Sequence, residues 1–342
     1  MSQSTTRALV VTRPGGPEVL EVKDRETPVP GPGEALIAVA AAGINFIDVY
    51  QREGIYPTPT PFVLGREGAG VVIAVGPDVD GVAAGDRVAW PFADGSAASQ
   101  ACIPADGLVT VPDGVDLETA AASILQGLTA HFLTRSTFPV GPGTTALVHA
   151  AAGGVGQLLV QMIKALGGTV IATAGSDEKC STAAGLGADH TINYRTVTDL
   201  AAAVRDATGG TGVDVAYDGV GKDTFDASLA SLRPRGLLAL YGGASGQVPP
   251  FDLQRLNATG SVFVTRPSLP HHIATHAELA WRAGELFQSI EDGSLRVSIG
   301  GRYPLTDAST AYADLEARRS QGKLLLIPVS YTHLTLPTSD LV

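Results

Sequence analysis

The chain has 342 residues, a formal net charge of −11, 44% hydrophobic and 17% charged residues. At roughly 100–200 residues per domain it has room for two domains with a substantial core, and its acidic balance disfavours nonspecific attraction to nucleic-acid phosphates or anionic lipid. Cys102 and Cys180 stand far apart, with no CxxC pair, so neither a disulfide framework nor a structural zinc site is supported.

The N-terminus MSQSTTRALVV lacks a basic and apolar leader, and no segment reaches the ~18 unbroken apolar residues of a membrane-spanning helix. The protein is therefore expected to be cytoplasmic. From Arg7 to about Ile103, short β-rich runs (ALVVT, EALIAVAAAGI, GAGVVIAVG, DRVAW) alternate with GGP, PGPGE, GPDVDG and AAGD. This pattern predicts a small, largely antiparallel β domain. Within it, LGREGAG (Leu64 to Gly70) reads as a tight turn with an arginine and a glutamate side by side. An Arg66–Glu67 ion pair stiffening that wall is one expectation.

VPDGVDLETAAASILQGLTAHFLTR then predicts a helix capped by Asp116. LQGLTA, read as the link toward the next domain, offers Thr129 near the cleft. From Pro142 the texture changes to βα units, TTALVHA, GQLLVQMIKALG, TVIATA, EKCSTAAGLGA, HTINY and onward to GLLALYG, which predict a parallel doubly wound sheet. After SVFVTRPSL a long amphipathic helix follows, and GRYPLTDASTAYADLEARRSQGKLLLIP is expected to return to the first domain.

HAAAGGVGQ, His149 to Gln157, sits between a β-run and a helix, where a dinucleotide fingerprint belongs. Ala151 holds the first glycine position, followed by Gly153 and Gly156. The missing side chains let a pyrophosphate approach the backbone, and the helix N-terminus meets its charge. The next strand ends in Ala174, Gly175 and Ser176, with Lys179 one turn on, instead of the acidic residue that binds a free ribose 2′-hydroxyl. A hydroxyl and an ammonium favour a 2′-phosphate, hence NADPH. Tyr194 packs against the adenosine or fills core. Tyr241 to Ser245, YGGAS, ends another strand at the ligand-binding edge, and its GxxSG spacing is not that of a nucleophile elbow.

Three blocks, AAAGINFIDVYQREGIYP, PFVLGREGAGVV with VGPDV and GDRV, and HAAAGGVGQ, together resemble the medium-chain dehydrogenase/reductase superfamily. The particular likeness is to its zinc-free NADPH:quinone oxidoreductases, the group of zeta-crystallin, and it runs from about Arg7 to Pro328. It implies an α/β fold in which a GroES-like β-rich catalytic domain (1–126 and 267–328) accompanies a doubly wound Rossmann NADPH-binding domain (127–266). The zinc alcohol dehydrogenases of the superfamily have cysteine at Asn45 and GHE at Gly65, Arg66 and Glu67. With those ligands missing, no metal is expected, and the acceptor must already be electrophilic.

The resemblance implies that Asn45, Phe46, Ile47 and Asp48 line the nicotinamide side of the cleft. Asn45 and Asp48 are expected to be catalytic, with Tyr50 and Tyr56 contacting a quinone or supplying a proton. On the cofactor side it implies Thr129, Gly153, Gly154, Val155, Gly156, Gly175, Ser176, Lys179, Tyr194 and Gly219. It adds Tyr241, Gly242, Gly243, Ala244, Val264, Thr265 and Arg266. Lys323, where the returning strand approaches the cofactor, departs from the family pattern. The expected function is zinc-independent hydride transfer from NADPH to a quinone. The alternatives are a 2-alkenal or enone reductase and an NADPH-binding structural or RNA-binding crystallin-like protein. The expected partners are a quinone or conjugated carbonyl, with no nucleic acid and no membrane, and a second copy paired near Ser261 to Ser268. Val329 to Val342, VSYTHLTLPTSDLV, resembles a sequencing adapter read in frame, so the natural chain is expected to end near Pro328.

Overall fold

The computed structural model describes residues 5–328; the expectation about the segment 329–342 lies outside the described residues. Two sheets dominate. A seven-stranded sheet runs in the order Ile299–Pro304, Lys323–Ile327, Glu34–Gly43, Gly68–Val75, Arg87–Trp90, Val109–Thr110, with Gln100–Pro104 also pairing to Glu34–Gly43. Except for the parallel contact between Ile299–Pro304 and Lys323–Ile327, its pairings are antiparallel. Thr5–Val11, Leu20–Glu26 and Phe62–Val63 form a smaller sheet beside it.

The second large sheet is wholly parallel, in the order His190–Asn193, Thr169–Ala174, Thr145–Val148, Val213–Asp218, Leu232–Leu240, Phe263–Thr265. Taken in chain order these strands lie 3-2-1-4-5-6, the doubly wound order. Its central strands are continuous apolar runs because helices cover both faces: Ala146, Leu147 and Val148 are fully buried. The direction of winding reverses between Thr145–Val148 and Val213–Asp218, which opens a crevice at their carboxyl ends.

The helix Leu117–Phe132 joins the two halves. Asp116 caps it, its side chain accepting the Thr119 amide at 2.8 Å. Ala120, Ala121 and Ala122 are buried almost completely, because small side chains let the helix lie close to elements on both sides. One core cluster runs from Ala41, Ala69 and Ala89 through this helix to Ala146, Val148 and Leu159. LQGLTA is thus the carboxyl half of the helix predicted after Asp116, and not a separate link. The boundary expected between residues 126 and 127 falls inside it. Composition along the chain cannot reveal that one helix serves two sheets.

A candidate dinucleotide and acceptor cleft

The fingerprint forms at the crevice. After Thr145–Val148 the chain turns through Ala150, at φ +51, and starts the helix Gly154–Ala165 with Gly153 as its cap. Gly156 has to be glycine, since a Cβ there would stand 2.3 Å from the Ala150 oxygen. The first-turn N–H groups of this helix have no partners within it and face the crevice, a cradle for an anion. Gly322 donates its N–H to Ala152 O at 3.0 Å and bridges Gly153, so the returning C-terminal segment forms one side of the turn.

Opposite the turn, Asp218 ends its strand and organises the loop after it. Its carboxylate accepts the N–H groups of Val220 (2.8 Å) and Gly221 (3.0 Å) and the hydroxyls of Thr224 (2.8 Å) and Ser228 (2.7 Å). With the Ser228 hydroxyl donating to Asp218, His149 Nε2, 2.9 Å away, donates to Ser228. His149 Nδ1 accepts from Thr173 at 2.9 Å. Complete burial lowers the His149 pKa, consistent with this neutral ring.

At the far end, Gly175 lies under Tyr194, whose hydroxyl would be 2.5 Å from a Cβ on the glycine. Ser176 caps the helix Asp177–Gly185 by accepting the Lys179 N–H at 3.3 Å. Lys179 Nζ reaches the Arg318 oxygen at 2.7 Å. The Arg318 guanidinium lies 3.7 Å from the Asp223 carboxylate, and both residues line the cleft.

The other end is a buried polar cluster. Glu67, fully buried, accepts Asn45 Nδ2 at 2.8 Å and the Lys323 ammonium on Oε1, and the Leu125 N–H at 3.0 Å on Oε2. Lys323 also donates to Ile44 O and Asn45 Oδ1, both at 2.9 Å. Gln126 Nε2 donates to the same Asn45 oxygen at 2.6 Å. Beyond the cluster Phe46, Tyr50, Tyr56 and Phe92 form an aromatic wall, with Tyr50 and Tyr56 edge to face at 5.5 Å.

These parts enclose a continuous cleft of about 990 Å³, at the upper end of ligand pockets, which run to roughly 1,000 Å³. Asn45, Phe46, Ile47, Tyr50 and Tyr56 line one end, and Gly175, Lys179 and Tyr194 the other. Between them lie Thr129, Gly153, Gly154, Val155 and Gly156. Gly219, Tyr241, Gly242, Gly243, Ala244, Arg266 and Lys323 complete the expected set that reaches the cleft.

Four expected residues do not line it. Asp48 is wholly buried: Oδ2 accepts the Asn45 N–H at 2.8 Å and the Tyr312 hydroxyl at 3.0 Å. Its carboxyl secures the first turn of Phe46–Arg52 and lies off the cleft, whereas the sequence reading expects a catalytic group. Ser176 serves as a helix cap, while Val264 and Thr265 sit in the edge strand Phe263–Thr265. Arg66 does not pair with Glu67 either: it pairs with Asp94 and lies 3.9 Å over the Phe92 ring. Arg66 sits in the bend after Gly65, before the strand Gly68–Val75 starts, and its side chain goes to Asp94 and Phe92 while Glu67 enters the core.

Sequence reasoning missed Gln126, Phe92, Asp223, Arg318 and Ser320, all of which line the cleft. The arginines of EARRSQGK, just before the returning strand, were a usable signal for Arg318. Among the described residues, no group of three or more His, Cys, Asp or Glu converges as a metal site.

Residues 31–113 match the alcohol dehydrogenase GroES-like domain family, and residues 154–278 the zinc-binding dehydrogenase family. A quinone oxidoreductase of Pseudomonas aeruginosa is 45% identical over 316 residues, 92% of this chain and 97% of that protein. A 2-haloacrylate reductase of a Burkholderia species is 41% identical over 330 residues, 94% of this chain and 98% of that one. A mycobacterial protein solved in complex with NADPH superposes with a TM-score of 0.92 at 51% identity, covering 94% of this chain and all of that one. This GroES-like and Rossmann chain belongs to the quinone oxidoreductase family of the medium-chain dehydrogenases/reductases.

Proposed function

We propose that the protein is an NADPH-dependent quinone oxidoreductase that needs no zinc. The observation that carries this reading is the single cleft joining the glycine cradle at Gly156 to the aromatic wall at Tyr50. The cradle fits a pyrophosphate, and the lysine and arginine at 179 and 318 suit a 2′-phosphate better than a free hydroxyl. The quinone oxidoreductase relatives and the NADPH-bound neighbour support the same assignment.

Bound NADPH would supply a hydride from its nicotinamide ring; the protein's part is binding, orientation and exclusion of water. Phe46 and Ile47 would pack on the nicotinamide, and Tyr50 and Tyr56 present a flat apolar wall to the acceptor ring. The Tyr50 phenol, pushed up to about 12 mainly by burial, keeps its proton at neutral pH and can donate a hydrogen bond to the oxygen that gains charge. Both Glu67 oxygens and the Asn45 amide are engaged by protein donors and acceptors, which leaves them poorly placed to hold a metal.

A conjugated acid is the second acceptor class. Arg266 lines the cleft and its charge acts on Tyr50, so a carboxylate next to a polarised alkene would find a cation there; the 2-haloacrylate reductase relative supports this. We further propose a cytoplasmic homodimer of two-domain subunits, 1–126 with 267–328 and 127–266, paired through 261–268. The exposed Phe263 and Val264 of the open edge strand Phe263–Thr265 support that pairing, and sedimentation of Phe263→Lys tests it. No helix among the described residues is long and apolar enough to cross a membrane.

The functional test is NADPH oxidation, followed by absorbance, with benzoquinone, naphthoquinone, an enal and a haloacrylate, with and without chelator. Turnover of quinones that survives chelation is expected. Loss on chelation would sink the zinc-free reading, and preference for NADH would sink the 2′-phosphate assignment.

A further inference from the structure

Gln126 is 6% exposed and lies on the cleft wall between Asn45 and the fingerprint helix; a Cβ built on Gly154 would stand 3.2 Å from its Cγ. Its Nε2 is used by Asn45, and its Oε1 is buried with no hydrogen-bond partner. Buried acceptors are rarely left so.

The direction of this amide is fixed by charge. Asn45 Nδ2 donates to Glu67, and Asn45 Oδ1 accepts the Lys323 ammonium. Gln126 must therefore present an N–H to Asn45, because the flipped amide would set two oxygens face to face. Lys323 has three N–H groups, and Ile44, Asn45 and Glu67 take all of them. The ion pair thus has no donor left for a ligand and one effect on the cleft wall, which is to leave Gln126 Oε1 as an acceptor that no protein group engages.

An unengaged acceptor on a cleft-lining side chain selects a donor. Phosphate oxygens are acceptors and would be repelled. Between an anion cradle at Gly154 and a ring site at Phe46, the part of a dinucleotide that must lie alongside is the nicotinamide-side ribose, whose hydroxyls donate. We propose that Gln126 binds a hydroxyl of that ribose, and that Lys323, expected from sequence to touch the cofactor, is instead the positioning residue that aims Gln126. The proposal rests on the dinucleotide reading of the cleft.

Calorimetric titration of the full chain with NADP⁺ and with 2′,5′-ADP, which lacks the nicotinamide ribose, tests it. Gln126→Leu is expected to weaken NADP⁺ about tenfold, the loss of one hydrogen bond, and to leave 2′,5′-ADP unchanged. The Glu67→Gln/Lys323→Met double variant, which removes both buried charges together, is expected to show the same selective loss, and no further loss when combined with Gln126→Leu. General damage to the fold would not alter the ratio of the two affinities. Unchanged NADP⁺ affinity in Gln126→Leu, or equal weakening of both ligands, would overturn the proposal. Failure of the wild-type chain to bind either ligand would overturn the dinucleotide reading beneath it.

Discussion

Lys179, in the first turn of Asp177–Gly185, donates its ammonium N–H to the main-chain oxygen of Arg318 at 2.7 Å. That contact ties the helix after Thr169–Ala174 to the C-terminal return, and both residues line the cleft.

Lys179→Met should therefore raise the KM for NADPH roughly 10–100-fold, the scale of one charge-assisted hydrogen bond. The KM for NADH should move little. Steady-state kinetics with each cofactor at saturating quinone measures the difference.

Asp48 predicts a pH dependence of stability. Burial pushes its pKa from 3.8 up to about 7, against the lowering effect of the hydrogen bonds from Asn45 and Tyr312. A carboxyl with a raised folded pKa contributes stability that is full below the unfolded value and is lost as pH rises through the folded one. Relative to Asp48→Asn, the wild-type protein should lose a few kcal/mol between about pH 4 and 7. Urea midpoints of the pair at pH 5 and 8 check the sign.

The Glu67–Lys323 pair is buried on both sides. Lys323→Met alone strands the glutamate charge and should destabilise the fold by about 3–5 kcal/mol. Glu67→Gln/Lys323→Met should recover most of that, because no unpaired charge is left. Denaturant unfolding of the two variants separates the outcomes.

Tyr50→Phe keeps the aromatic wall and removes only the phenol proton, so kcat/KM for a quinone should fall about tenfold. Tyr50→Ala, which also opens the wall against Tyr56, should fall further through KM. With the phenol near 12, this group should add no inflection to the rate between about pH 6 and 9.

The parts of the site that follow from spacing were readable in the sequence. AxGxxG between an apolar run and a helix places the Gly153–Gly156 turn, and a strand that ends in Ala174, Gly175 and Ser176 with Lys179 one turn on points to a cation at the other end. What was not readable depends on residues distant in the chain or on the side of a strand. Glu67 and Lys323 are 256 positions apart, and nothing near either one signals the other. Arg66 and Glu67 look like partners as neighbours in sequence, yet each pairs elsewhere, with Asp94 and with Lys323. The resemblance implies a site role for Asp48, while its burial against Tyr312, 264 positions away, is visible only in the folded chain.

The bridge from Gly153 to Gly322 gives the cofactor cradle an order of assembly. Its turn is translated near the middle of the chain, and the segment that walls it in emerges only at the end of the described sequence. A nascent chain can lay down the central parallel strands long before it owns a finished nucleotide site, so binding can stabilise only a polypeptide that has closed back on itself. The cofactor then distinguishes completed molecules from partial ones, through a contact made by two glycines that carry no side chains.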